Sequence, residues 1–289
     1  NQLDHRIDIS HRVKDQLLYR MLETWEDPSI LALVPDELRT MRGGYQILKN
    51  QSDCPFRAFA KHRLHTRALE IPEIDFDHAE RGSIVHKALE IFWSKVHASV
   101  NLRQLKENGQ LTQTIKDCVR SAITGFHGKL IDQKQFSKLE SLRVENLLLD
   151  WSEKELLRPD FEVIHTEKVE HISIAGLDMK IRVDRIDKGI NDCLILIDYK
   201  TGTIKLNEWF EERLQDPQLP LYAIKLSPDA IAFAEVKKGN TGKGFKLIAR
   251  DDAVMPGYND NKLISKTGCQ DWKSLLTRWE TQLISLGNE

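Results

Sequence analysis

The spacing of hydrophobic positions changes near residue 159, and this change divides the chain into two parts. Before Pro159, apolar residues recur at intervals of three and four, which is the period of an amphipathic helix. After Pro159 they alternate with polar residues or form short runs, which is typical of β-strands. The pattern therefore predicts a helical first half followed by a region of strands and helices.

The first half is predicted to contain five helices, around 11–25 and over 54–66, 80–98, 111–128 and 134–157. In the second of these, we expect Phe56, Phe59 and Leu64 to serve as apolar anchors, with basic residues between them. Residues 71–80 are predicted to form a loop. The pair Gly43-Gly44 indicates a break after the N-terminal segment.

The second half is predicted to contain strands over 162–165, 172–174, 179–186, 194–199, 230–236 and 245–249. Turn signals at 175–176, 189–192 and 239–242 separate several of them. Helices are predicted over 207–215, 217–226 and 270–287. This order predicts an α/β fold, a mixed β-sheet flanked by helices, with a large N-terminal helical elaboration. Because the chain opens on a polar segment beginning with Asn1, we expect 1–50 to be an extension or linker from a longer protein and 51–289 to form the main domain.

Composition narrows the class of protein. The 289 residues are 40% hydrophobic and 30% charged, which indicates a globular chain, and no apolar run is long enough to span a membrane. The four scattered cysteines form neither a disulfide framework nor a zinc-finger pattern, which favours free thiols in a reducing cytoplasm. The net charge of −2 does not by itself indicate nucleic-acid binding, although the local distribution of charge matters more than the net charge.

Candidate chemistry appears where the apolar run 194–197 ends in Asp198 and Lys200. Residues two apart on a strand share a face, so these two charges point together. Asp184, fourteen residues earlier, is predicted to reach the same end of the sheet on a neighbouring antiparallel strand. Two converging carboxylates repel unless a proton or a cation lies between them, and Mg²⁺ favours such ligands. A structural salt bridge at a strand end is an equally acceptable interpretation of these residues alone.

Three further segments accompany this pattern: Arg81-Gly82-Ser83-Ile84-Val85-His86, Gln218-Leu219-Pro220-Leu221-Tyr222, and Ser52-Asp53-Cys54-Pro55-Phe56-Arg57-Ala58-Phe59. Together with Asp184 and the run 198–202, they resemble, in order, the motifs of the RecB/AddB-like nucleases of the PD-(D/E)XK superfamily. The resemblance covers about residues 50–225 and implies a restriction-endonuclease-like core. Val183 stands where the superfamily name has Pro, and Asp198 stands where many members have Glu.

The resemblance implies a role for each matching residue. His86, Asp184 and Asp198, with the backbone carbonyl of Tyr199, would bind Mg²⁺ or Mn²⁺, and Asp184, Asp198 and Lys200 would be catalytic. Gln218 and Tyr222 would hold DNA or the lysine, with a helix-interior contact as the alternative for Tyr222. Glu90, one turn after His86, would either orient the histidine or lie in solvent.

Some relatives carry an iron–sulfur cluster held by one early and three late cysteines. Cys54 occupies the first of these positions, but only Cys269 follows the last motif, and a cluster needs four thiolates. No iron–sulfur cluster is therefore predicted.

Basic residues indicate where DNA would lie. Lys237 and Lys238 belong to a predicted basic hairpin that also contains Lys243, Lys246 and Arg250, and Lys61, Arg63 and Arg67 form a second group. A solvated hairpin with ordinary lysines is the alternative.

The resemblance implies a DNA repair exonuclease in the bacterial cytoplasm at the nucleoid, with no membrane association. It would work with a helicase-like region of the same parent chain or with a helicase subunit. An inactive DNA-binding or scaffolding module, or a different metallohydrolase, is the alternative.

Overall fold

A five-stranded mixed β-sheet forms the centre of the protein. The computed structural model describes residues 43–67, 76–125, 133–239, 242 and 244–289. The strands are β1 (Glu162–Ile174), β2 (Leu177–Lys188), β3 (Leu194–Lys200), β4 (Ala230–Glu235) and β5 (Phe245–Ala249). They lie side by side in chain order. Only β3 and β4 pair in parallel, and the other neighbours are antiparallel.

Helices cover both faces of this sheet. They are α1 (Gln46–Asp53), α2 (Pro55–Ala58), α3 (His78–Val96), α4 (Ser99–Glu107), α5 (Leu111–Thr124), α6 (Gln133–Leu156), α7 (Gln218–Leu226), α8 (Lys262–Ser265) and α9 (Trp272–Asn288). A five-residue π-helical turn, Phe59–Arg63, follows α2 directly. The connection from β3 through α7 to β4 accounts for the one parallel pair, because parallel strands need a crossover.

Two apolar layers hold the sheet between the helices. One layer joins α3, α5 and α6 to the face of the sheet that carries Ile197 and Tyr199. The other joins α1, α7 and α9 to the face that carries Leu196. Leu196 and Ile197 are both fully buried, as expected for a central strand covered on both faces. The predicted mixed sheet with flanking helices and a helical N-terminal region is confirmed.

Several predicted elements differ from the observed ones. The helix predicted over 207–215 is wrong: only a 3₁₀ turn, Leu206–Trp209, forms there. The reason is tertiary, since Trp209 is buried and its carbonyl accepts a hydrogen bond from the indole of Trp279 at 2.8 Å. The strands predicted over 162–165 and 172–174 are parts of one strand, β1. Helix α4 was not predicted.

The anchors predicted for 54–66 are also wrong. The segment is helical, as α2 and the π-helical turn, but Phe56 is 74% exposed, Phe59 41% and Leu64 57%. For Phe59 and Leu64, the π-helical turn departs from the regular 3.6-residue period that underlies the prediction, whereas Phe56 lies before the turn, on the solvent side of α2.

The predicted extension at 1–50 falls mostly outside the described residues, as does the helix predicted around 11–25. Within its last part, Leu48 of α1 is fully buried. Gly44 has a φ of +53°, and a Cβ there would lie 2.7 Å from the carbonyl oxygen of Lys180, so only glycine fits against β2. The boundary at residue 50 stays a prediction. Among the described helices, none combines the length and the apolar character that crossing a lipid bilayer requires.

Candidate active site

Two buried aspartates meet at one end of the β2–β3 pair. The register pairs Arg185 with Ile197, so the next position along both strands brings Asp184 opposite Asp198. Their side chains are 6% and 1% exposed. An oxygen of Asp184 accepts a hydrogen bond from the backbone N–H of Tyr199 at 2.8 Å. The sheet therefore brings both predicted carboxylates to the same edge.

Lys200 and Gln218 complete a polar cluster around Asp198. The ammonium of Lys200 lies 2.8 Å from Asp198 and donates to the side-chain oxygen of Gln218, also at 2.8 Å. The side-chain NH₂ of Gln218 donates to the other oxygen of Asp198 and approaches the hydroxyl of Tyr222 at 3.4 Å. A single amide from α7 thus bridges the carboxylate and the lysine.

Burial and charge shift the pKa values of this cluster. Burial, followed by repulsion from Asp184, raises the pKa of Asp198 to about 7. Burial opposes the charge of Lys200, but the nearby Asp198 outweighs that effect and raises the pKa of the lysine. Lys200 is consequently a fixed cation at neutral pH. Asp198 lies near its titration point and would be held ionised by a second cation.

His86 reaches the aspartates from the neighbouring helix α3. The helix begins with a capping box in which Asp77 and Glu80 exchange hydrogen bonds, which fixes where its face points. One ring nitrogen of His86 lies 3.3 Å from Asp184. Burial disfavours the imidazolium, but the hydrogen bond and charge of Asp184 outweigh this and raise the pKa of His86.

Glu167, which belongs to none of the sequence motifs, lies beside His86 and Asp184. The ligand atoms of these three residues all fall within 4.8 Å of one another. Thr166 pairs with Arg185 and Lys168 with Val183, so Glu167 lies opposite Asp184, and its φ of +50° departs from the extended backbone of the strand. Burial and the charge of Asp184 raise the pKa of Glu167, although Arg182 pairs with it at 2.7 Å.

Glu167 can be identified as a site residue only from the register of β1 against β2. In the sequence the residue lies in the stretch 166–171, between the strands predicted over 162–165 and 172–174. The regular alternation of side chains between the two faces of the sheet is also broken in β2, because Val183 and Ile186, three residues apart, pack in the same apolar layer. Such irregularities re-aim side chains, often next to functional sites.

The donor set fits a divalent cation. His86, Glu167 and Asp184 offer one nitrogen and carboxylate oxygens within reach of a single ion. Asp198 lies across the strand pair from Asp184, outside this group of three, and its carboxylate pairs with Lys200. Carboxylate oxygens with a histidine nitrogen are ligands that a divalent cation accepts. The backbone carbonyl of Tyr199 stays a predicted ligand. Glu90 pairs with Lys87 at 2.7 Å and borders a cleft in whose wall His86 and Glu167 also lie.

This cleft gives access to the site. It has a volume of about 750 Å³, and His86, Glu167 and Thr201 contribute to its wall. Thr201 follows Lys200 directly, so the cleft runs from α3 across the edge of β3.

The side chain of Tyr199 points to the opposite face of the sheet, into a buried ionic cluster. Its hydroxyl accepts a hydrogen bond from Arg185 at 3.2 Å. Arg185 also pairs with Glu155 and Asp187, and Arg158 pairs with the same two carboxylates. All five side chains are at most 5% exposed. These contacts therefore hold β3 in place from the face of the sheet opposite to the side chains of Asp198 and Lys200.

The predicted basic hairpin is only partly available for DNA. Lys237 pairs with Glu235 at 2.7 Å, and Lys246 donates to the carbonyl of Ile204. Lys238 is exposed and follows β4 at the same edge as Lys200, because the two strands are parallel. Lys243 lies outside the described residues. DNA contact by Lys237 and Lys238 stays a prediction.

A mixed sheet with paired carboxylates, a histidine and a lysine at one edge defines a class of metal-binding α/β proteins. The model of the PD-(D/E)XK nuclease superfamily matches residues 45–267, and the chain belongs to this superfamily. Nucleases of this class use divalent metals. No curated protein matches the chain. Among solved structures, it is similar to one titled "Crystal structure of SSO0001", at 13% identity over 83% of this chain and 84% of that one, with a TM-score of 0.22.

Proposed function

We propose that the chain is a metal-dependent deoxyribonuclease that hydrolyses phosphodiester bonds at the edge formed by Asp184, Asp198 and Lys200. The observation that carries the proposal is the contact of Lys200 with Asp198 and Gln218 beside the acidic cluster. A structural salt bridge would explain one pair of charges. It does not explain three carboxylates and a histidine beside a fixed cation.

Each residue has a task in this proposal. His86, Glu167, Asp184 and Asp198 would hold Mg²⁺ or Mn²⁺, and the cation would supply Lewis-acid chemistry toward the phosphate and the attacking water. Lys200 stabilises the negative charge that develops on the phosphate, and it needs no reorganisation because its position is fixed. Gln218 sets that position through its two hydrogen bonds.

We further propose a narrower biological role. The order of the motifs from residue 52 to Tyr222 supports a RecB/AddB-like exonuclease module that acts in DNA repair. In this role it works with a helicase, either in the same parent chain or as a partner subunit, at the bacterial nucleoid. Lys237 and Lys238 contact the DNA backbone.

A cleavage assay tests the proposal. The protein is incubated with linear and circular DNA, single- and double-stranded, in Mg²⁺, Mn²⁺ or EDTA. We expect cleavage that requires the metal and that Asp198→Asn abolishes. Linear DNA cleaved while circular DNA stays intact would support the exonuclease role. Metal-independent cleavage, or an Asp198→Asn variant as active as the wild type, would contradict the mechanism.

A further inference from the structure

Exposed aromatic side chains lie on the segment that follows α1. Phe56 is 74% exposed and Phe59 41%, and Leu64 beside them is 57% exposed. Single exposed apolar residues are ordinary, but three within nine positions form a patch that indicates a binding surface.

The segment is held in place. Pro55 begins α2, and the π-helical turn Phe59–Arg63 continues from it without a break. The side chains of His62 and Asn50 lie 2.9 Å apart, which ties this turn to α1. Single-turn π-helices occur frequently at functional sites. The two phenylalanines are therefore presented from a fixed helical surface.

The charge around these rings favours a polyanion. Arg57, Lys61, Arg63 and Arg67 lie between residues 53 and 67, and Asp53 is the single acidic residue there. Asp53 pairs with Arg57 at 3.2 Å. Four basic residues against one acidic residue favour an anionic partner, and aromatic rings among basic residues are typical of surfaces that bind single-stranded nucleic acid.

Helix α1, from which the segment continues, lies near the active site. Arg213, in the loop before α7, donates to the backbone carbonyls of Gln51 and Ser52. Tyr45, which precedes α1, lies close enough to Lys200 and Asp198 for their charges to affect its pKa.

We propose that Phe56 and Phe59 stack against the bases of single-stranded DNA while the neighbouring basic residues contact its phosphates. The proposal rests on the proposed nuclease function and gives it a substrate form. Bases of a duplex are already stacked on one another, so the two rings have no comparable partner there.

Binding in EDTA, where no cleavage occurs, tests this proposal. Fluorescence anisotropy measures affinity for a labelled oligothymidylate, for an abasic oligonucleotide of equal length and for a duplex. We expect Phe56→Ala/Phe59→Ala to weaken binding to the oligothymidylate at least about tenfold. Its affinity for the abasic strand and the duplex should change less than about twofold. A Phe56→Leu/Phe59→Leu control, apolar but without rings, should lose affinity as the alanine variant does.

Two results would overturn the proposal. One is equal affinity of wild type and alanine variant for the oligothymidylate, which would show that the two rings do not contact the bases. The other is an equal loss for the abasic strand, which would show that the rings do not act by stacking on bases. Cleavage by the wild type in Mg²⁺ is measured separately, so a protein that binds but does not cut contradicts the nuclease proposal and leaves the stacking surface intact.

Discussion

Lys200 combines a fixed position with a fixed charge. Asp198 and Gln218 hold its ammonium on two sides, and the carboxylate keeps its pKa above the ordinary value. We expect Lys200→Ala to lower kcat by about 10² to 10³-fold, because a preorganised cation is lost from the transition state. Steady-state cleavage of a labelled oligonucleotide measures this. Lys188→Ala, which removes a surface lysine paired with Asp192, should keep wild-type activity.

Gln218 is expected to act through Lys200 and Asp198. Replacing it with leucine removes both hydrogen bonds and keeps much of the side-chain volume, so kcat should fall about tenfold while KM changes little. Gln113→Leu, on the exposed face of α5, is the matched control. An unchanged kcat, or a loss confined to KM, would show that Gln218 does not position the lysine.

Glu167 provides a test of the metal site that the sequence did not suggest. Glu167→Gln keeps the shape of the side chain but removes its charge. We expect it to weaken Mn²⁺ binding about 10- to 100-fold in isothermal titration calorimetry. Glu170→Gln, on the same strand and paired with Lys168, should bind Mn²⁺ as the wild type does. Equal affinities for the two variants would exclude Glu167 from the site.

Residues of the candidate site could be predicted only where they belong to a recognisable local sequence pattern. Asp198 and Lys200 follow a buried run, and Asp184 and His86 lie in short motifs, so the sequence selects all four. The structure brings these side chains together, but their roles stay predictions. Glu167 has no such motif, because its place depends on pairing with a strand ten or more residues away.

At the scale of elements, the helices and strands with strong periodicity could be predicted. Observed α3, α6 and β5 begin and end within two residues of the expected bounds. The prediction failed where tertiary contacts decide, as at 207–215, where Trp209 packs against Phe233 and Trp279. It also failed where polar residues continue a strand, as in the middle of β1.

The buried ionic cluster joins α6 to β2 and β3. Arg185→Met leaves Glu155 and Asp187 buried without one of their cations, and we expect the free energy of unfolding to fall by about 3–5 kcal/mol. Urea denaturation measures it. Arg103→Met, which breaks an exposed pair with Asp160, should cost less than about 1 kcal/mol. Similar losses for both variants would contradict a special role of the cluster.

Over the whole molecule the net charge is only −2, but acidic and basic side chains are unevenly distributed. Carboxylates gather at the edge that carries Asp184 and Asp198, and basic residues gather on 57–67 and after β4. Such a pattern suits a protein that binds a cation at one point and a polyanion around it.

The raised pKa values in the acidic cluster make the free energy of unfolding of the metal-free protein depend on pH. The folded pKa of Asp198 is about 7, well above the roughly 3.9 of an unfolded aspartate, and the pKa values of His86 and Glu167 are also raised. At Asp198 the folded state therefore binds more protons than the unfolded state between about pH 4 and 7, and the raised pKa values of His86 and Glu167 act in the same direction. The contribution of these three groups to stability is largest at low pH and falls as the pH rises, by at most about 1.4 kcal/mol per pH unit for each group.

We accordingly expect the Tm in EDTA to decrease from pH 5.5 to pH 8, and Mg²⁺ or Mn²⁺ to raise it more at pH 8 than at pH 5.5, because protons and the cation compete for the same oxygens. Differential scanning fluorimetry measures both effects. Asp198→Asn should flatten the pH dependence and reduce the gain from the metal, whereas Asp252→Asn, a surface change, should alter neither. A metal-free Tm that rises over this range, or a metal effect independent of pH, would contradict the assignment of the cation to this cluster.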